Sequence, residues 1–265
     1  MNEATVSPLL QGMIDTAKKA GRFIKLEREN FSYQKVEIKG LNDLVSYVDK
    51  QSEKMIVDDL HKLLPEAGFI VEENTKSIRQ AYNWIVDPLD GTTNFVHGIH
   101  CYAVSIALAN HNTILAAVVY EVSGDECFYA ENGKGAFLNG QPIKVSGRKH
   151  LSESLIATGF PIYNFSRIEA YMACLEHMMR NTHGVRRIGA AAADLCFLAC
   201  GRVDAFFEYN LSPWDVAAGA LIVMEAGGTV TDFNGGDKWL FGKEMLATNG
   251  SLYDEMKNSI VEHFA

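Results

Sequence analysis

Hydrophobic positions recur every three or four residues between 9 and 26, through Leu9, Leu10, Met13, Ile14, Ala17 and Ile24. That spacing gathers them on one face and predicts an amphipathic helix. The same rhythm returns over 43–64 in Val48, Met55, Ile56, Leu60 and Leu63, with Pro65 and Gly68 closing a second helix. The pattern then shortens. "GFIVEEN" (68–74) and "NWIVDP" (83–88) are apolar runs ending in acids and read as strands. "YAVSIALAN" and "TILAAVVYE" are longer apolar strands joined at "NHNT". "DECFYAENGKGAFLNGQPIKVS" reads as a meander of short strands with Asn-Gly and Gly-Lys-Gly turns.

The polar stretch "SGRKHLSES" (146–154) is the expected boundary between two halves, 1–150 and 151–265. Beyond it the chain alternates. The strand "SLIATGF" precedes a helix near 166–180, and "VRRIG" leads into the helix "AAADLCFLAC". The strand "VDAFFEY", the helix "PWDVAAGALIVMEAGG", the strands "TVTDF" and "EMLATN" and a helix from about 251 complete the order. Such alternation predicts an α/β protein of layered sheets and helices.

Composition narrows the function. The 265 residues are 48% hydrophobic and 22% charged, with a formal net charge of −9. That balance argues against a nucleic-acid binder working through a broad basic surface. No apolar run is long enough for a membrane span and the N-terminus has no basic leader, so a cytoplasmic protein is expected. The five cysteines form no CxxC pair. Cys196 and Cys200, four apart on a helix, read as small buried hydrophobes.

"WIVDPLDGTTN" (84–94) poses the chemical question, because two acids close an apolar strand. Pro88 biases Asp87 to an extended conformation, so the strand is expected to end there. Gly91 permits a tight turn, and Thr92, Thr93 and Asn94 suit a helix start. Strand, acidic turn and helix N-terminus together offer acids to a cation and N–H groups to an anion, which suits a metal-bridged phosphate. The same residues also make a plain turn. Glu72 ends the strand "FIV" in the same manner. Asp215 reads equally as the reciprocal acid of a capping box begun by Ser212, with Pro213 first in the helix. Asp49, in "LVSYVDK", is either a proton acceptor or an exposed helix acid. Carboxylates without His or Cys partners select Mg²⁺, Mn²⁺ or Ca²⁺. Two such ions about 4 Å apart can clamp a phosphoryl displacement and activate water. Thr92 could orient that water.

"WIVDPLDGTTNFVHG" followed by "WDVAAGALIVMEAGG" resembles the inositol monophosphatase family of lithium-sensitive, magnesium-dependent phosphatases. The similarity extends to "DLVSYVDKQSEKMI", "FIVEEN", "NGKGAFLNGQPIKVS" and "GRVDAFFE". The resemblance implies a five-layered α-β-α-β-α sandwich and a homodimer. It implies a first Mg²⁺ held by Glu72, Asp87 and the Leu89 carbonyl, a second by Asp87, Asp90 and Asp215, and a weaker third near Glu72. Thr92 would hold the nucleophilic water and Asp49 would pair with Thr92. Gly91 and Thr92 N–H groups would bind phosphate. Gly189, Ala190, Ala191 and Glu208 would line the substrate pocket, and Lys39 would lie near the third ion. "ATGFPIYN" (157–164) has the bacterial form, with a pocket serine replaced, which leaves the substrate contacts of that segment open. His97 and His100 are expected not to be ligands. Arg186 and Arg187 would line the pocket or a subunit interface.

The resemblance thus implies direct hydrolysis of myo-inositol 1-phosphate, without a phosphoenzyme. Fructose 1,6-bisphosphate, 3′-phosphoadenosine 5′-phosphate and histidinol phosphate are alternatives on the same fold. A regulatory role through a partner is a further alternative, since fold does not fix function.

Overall fold

The computed structural model describes residues 6–31, 36–40, 43–74, 78–162 and 164–264, without the side chains of 36–40 and 43–46. The chain opens with α1 (Pro8–Glu29), β1 (Val36–Gly40), β2 (Asp43–Ser46) and α2 (Tyr47–Leu63). The expected second helix therefore starts at Tyr47. Residues 43–46 instead pair antiparallel with β1. Next come β3 (Gly68–Val71), β4 (Tyr82–Asp90), α3 (Thr92–His97), β5 (Ala103–Asn110) and β6 (Thr113–Glu121). The meander follows as β7 (Glu126–Glu131), β8 (Ala136–Leu138) and β9 (Gln141–Ile143). The remainder is β10 (Leu155–Thr158), α4 (Ile168–Asn181), β11 (Gly184–Arg186), α5 (Ala191–Ala199), β12 (Ala205–Tyr209), α6 (Pro213–Glu225), β13 (Thr229–Thr231), β14 (Glu244–Thr248) and α7 (Tyr253–Phe264). The expected strand "TVTDF" stops at Thr231. Asp232 then turns the chain by accepting N–H bonds from Asn234 and Gly236.

Seven strands form one sheet in the order β3 to β9, parallel only between β3 and β4. Five form the other, in the order β11-β10-β12-β14-β13. Side-chain alternation divides the apolar residues between layers. In β4, Trp84 and Val86 join α1 and α2 in one core, while Ile85 faces α5 and α6 in another. In β12, Phe206 joins that middle core, and Ala205 and Phe207 join α4 and α7 in a third. The layers are thus α1/α2, first sheet, α5/α6, second sheet and α4/α7, the five-layered sandwich that was expected. Burial on both faces explains the long apolar runs of β5 and β6. It also explains why α5 and α6, clamped between sheets, are almost wholly apolar.

Candidate active site

The site begins where β3 and β4 end together. Their parallel register pairs Val71 with Val86, which brings the next residues, Glu72 and Asp87, side by side. Asp87 is 2% exposed, and its Oδ1 accepts the Leu89 N–H at 2.9 Å. Contrary to expectation, Pro88 does not end the strand. The β4–β5 ladder passes from Asp87↔Ser105 to Asp90↔Ala103 through a register shift, so two residues of β4, Pro88 and Leu89, stand opposite one of β5, Val104. Such a bulge re-aims side chains. Pro88 has no N–H to lose, and its carbonyl accepts from the Ser52 hydroxyl at 3.1 Å.

Gly91 follows at φ +86°, and a Cβ there would stand 3.1 Å from the Cys101 carbonyl oxygen and 3.2 Å from that of Gly189. Gly91→Ala is therefore expected to destabilise the fold by about 1–3 kcal/mol, as read from the denaturant midpoint. An unchanged midpoint would contradict the turn geometry. Thr92 starts α3, and its Oγ1 lies 2.8 Å from Asp49 Oδ1 and 2.9 Å from the Leu89 carbonyl oxygen. One hydroxyl proton thus faces two acceptors. Asp49 is buried behind Thr92 rather than on the cavity wall. It shares one face of α2 with Ser52, Glu53, Ile56 and Leu60, and α2 packs on β4.

Asp90 and Asp215 arrive from different elements. Asp90 Oδ2 accepts the Ala192 N–H at 2.7 Å, at the start of α5. Asp215 Oδ2 accepts the Ser212 N–H at 2.7 Å, so the capping box forms. Both acids nevertheless line a cavity of about 480 Å³ with Glu72, Asp87, Leu89, Gly91 and Thr92. Gly189, Ala190, Ala191 and Glu208 line it too. The sequence-predicted residues thus meet in one cavity, with two exceptions. Asp49 lies behind it, and the Lys39 side chain lies outside the described residues. His97 and His100 are exposed and form no part of the cavity wall. All five cysteines are free, four of them buried.

Crowding sets the electrostatics. Burial, then the Glu72, Asp90 and Asp215 charges, push Asp87 well above the usual carboxylate range. Burial and Asp215 raise Asp90 to about 7, and burial raises Asp215 to about 7. Burial likewise raises Glu208 and Asp194, while Arg187 pulls both down. Among the described residues no three His, Cys, Asp or Glu side chains close round one point at metal-ligand spacing. The donor set still fits a hard cation. It consists of carboxylate and carbonyl oxygens only, and a divalent charge relieves the repulsion that raises these acids.

Sequence reasoning missed several contributors. Buried Glu53 accepts the Glu73 N–H at 2.6 Å and so shapes the Glu72 loop. Its spacing from Asp49 on α2 was the available signal. Asn94 donates to the carbonyls of Cys101 (2.8 Å) and Ile188 (2.9 Å), tying α3 to the Gly189–Ala191 stretch. Of the two arginines, Arg187 lines the cavity, 5.5 Å from the Phe160 ring centroid. Arg186 turns back to the Val185 carbonyl. Gly159, Phe160 and Ile162, from the segment whose substrate contacts the resemblance left open, lie on the cavity wall. Asp194 had no local motif at all.

A sequence profile described as the inositol monophosphatase family matches residues 5–264. The chain belongs to the inositol monophosphatase family. Among family relatives, a putative Nus factor SuhB of Neisseria meningitidis serogroup B is 43% identical, over 97% of this chain and 100% of that protein. An inositol-1-monophosphatase of Rhizobium meliloti is 40% identical, over 96% of both chains. The solved structure of the extragenic suppressor protein suhB from Bartonella henselae superposes with a TM-score of 0.91 and 41% identity, covering 96% of this chain and 98% of that one. Family membership supports phosphatase activity and agrees with the layered architecture. Among the described residues, no helix is long and apolar enough to cross a membrane.

Proposed function

We propose that this chain is a Mg²⁺-dependent, cytoplasmic phosphatase of small polyol monophosphates, with myo-inositol 1-phosphate the first substrate to try. The observation that carries the reading is one cavity wall bearing Asp87, Asp90 and Asp215, with the Thr92 hydroxyl 2.8 Å from buried Asp49. Glu72, Asp87 and the Leu89 carbonyl would hold one Mg²⁺. Asp87, Asp90 and Asp215 would hold a second, and Glu72 would contact a weaker third. Mn²⁺ suits the same donors. When bound, the ions neutralise the carboxylates, polarise the phosphoryl group and activate water.

The chain's own groups do the rest. The Thr92 hydroxyl, 2.8 Å from Asp49, would give its proton to that carboxylate, leaving the Leu89 carbonyl for the cation it would hold. The hydroxyl lone pairs then accept from the attacking water, and Asp49 receives the proton passed through Thr92. The N–H groups of Gly91 and Thr92, at the start of α3, would bind the phosphate. The Gly189–Ala191 backbone and the Glu208 carboxyl receive the polyol. A Cβ on Gly159 would fall 2.0 Å from Glu208, so only a glycine leaves that acid its place.

Thr92→Val is expected to lower kcat by about 10²-fold with little change in KM. Steady-state kinetics check this, and an unchanged kcat would remove Thr92 from the proton path. Millimolar Li⁺ is expected to inhibit. The substrate is tested by phosphate release from inositol 1-phosphate, fructose 1,6-bisphosphate, 3′-phosphoadenosine 5′-phosphate and histidinol phosphate, with Mg²⁺ and with EDTA. EDTA-sensitive preference for inositol 1-phosphate is expected. Preference for a bisphosphate or nucleotide would keep the chemistry and change the substrate.

A second reading adds a partner-binding role, favoured by the relative named a putative Nus factor. A catalytically dead variant that still performed that role in cells would separate the two.

A further inference from the structure

Buried acids in this fold are generally satisfied. Asp204 accepts from the Arg148 guanidinium and the Leu155 N–H. Asp232 accepts from Asn234, Gly236 and Lys238 N–H groups. Glu121 accepts from the Ser123 and Gly124 N–H groups. Asp194, early in α5, breaks the rule. It is 1% exposed, lines the cavity, and its Oδ1 has no hydrogen-bond partner among the described residues. An unpaired buried acceptor destabilises a fold, and folding gives no reason to keep one here. A ligand donor entering the cavity would complete it. Its charged neighbours are Glu208, Asp90 and Arg187, so Asp194 stands beside the end of the cavity assigned to the polyol.

We propose that Asp194 is a specificity-determining residue that accepts a hydrogen bond from a substrate hydroxyl beside Glu208, favouring polyol phosphates over hydroxyl-free esters. The inference rests on the phosphatase reading of the cavity. A site built around an acceptor discriminates strongly against ligands lacking the donor. The test compares Asp194→Leu and Asp194→Asn with wild type, on inositol 1-phosphate and on p-nitrophenyl phosphate, which has no hydroxyl.

Asp194→Leu is expected to raise KM for inositol 1-phosphate about tenfold or more, with kcat/KM for p-nitrophenyl phosphate within about twofold. Asp194→Asn, which keeps an acceptor, should lie between. Neither variant should melt below wild type. Equal losses on both substrates with a lowered Tm would make Asp194 structural and overturn the proposal, as would an unchanged KM. If Asp194→Leu does not fold, Asp194→Asn carries the comparison. If wild type hydrolyses neither ester, the phosphatase reading fails first, and calorimetric binding of inositol 1-phosphate decides this one. Binding about tenfold weaker in the variant supports it. Equal affinity, or no binding by wild type, overturns it.

Discussion

Asp87→Asn is expected to lower phosphate release by at least about 10³-fold while leaving the fold intact. The asparagine Oδ1 can still accept the Leu89 N–H, so the bulge that orders the turn survives. What disappears is a charge that would serve two cations at once. Removing it also removes a buried acid raised by Glu72, Asp90 and Asp215. The variant is therefore expected to melt at or above wild type in EDTA and to gain less than wild type from Mg²⁺. Turnover and thermal midpoints, measured on one preparation, check both halves. Normal Mg²⁺-dependent turnover in Asp87→Asn would remove Asp87 from the site.

Raising the pH should destabilise the metal-free protein, and Mg²⁺ should reverse the loss. Asp90 and Asp215 lie at about 7 in the folded chain against an ordinary value of 3.8. Between these limits the folded state binds more protons than the unfolded state, so stability falls as pH rises. The contribution is fully present below about pH 4 and is lost as pH passes through about 7. Between pH 5 and 8 the loss is about 1–3 kcal/mol, less than two isolated buried acids would give, because both line the cavity. Denaturant titrations in EDTA at pH 5, 6, 7 and 8 check the slope. Mg²⁺ should restore stability at pH 8 and add little at pH 5, where protons already neutralise the cluster. A flat profile in EDTA, or equal Mg²⁺ gains at both pH values, would contradict the electrostatics of the site.

Much of this was legible because it was local. The acids after "FIV" and "WIV", the turn at Gly91 and the capping box of Ser212 and Asp215 are each written in a few neighbouring residues. Their meeting in one cavity was not local, and family resemblance supplied it. The misreadings share a cause. Leu44 and Val45 suit a helix face as well as a strand, and only pairing with β1 decides between them. Pro88 is a sound local signal for a strand end, yet the β5 partner accommodates a bulge and pairing resumes at Asp90. For Asp49 the residues alone left a proton acceptor and an exposed helix acid both open, and the resemblance chose the first; α2 packs on β4 and buries it beside Thr92. Glu53 was within reach of periodicity, since it shares that face. Asp194 was not, because an unpaired acid is visible only when every neighbour is in place.

The most direct test of the central claim is phosphate release from inositol 1-phosphate by EDTA-stripped protein as Mg²⁺ is titrated back. Turnover that is absent in EDTA and rises saturably with Mg²⁺ is the expected result. Release that ignores EDTA and Mg²⁺, or none from folded protein at any Mg²⁺ concentration, would contradict a cation-dependent phosphatase site built on Asp87, Asp90 and Asp215.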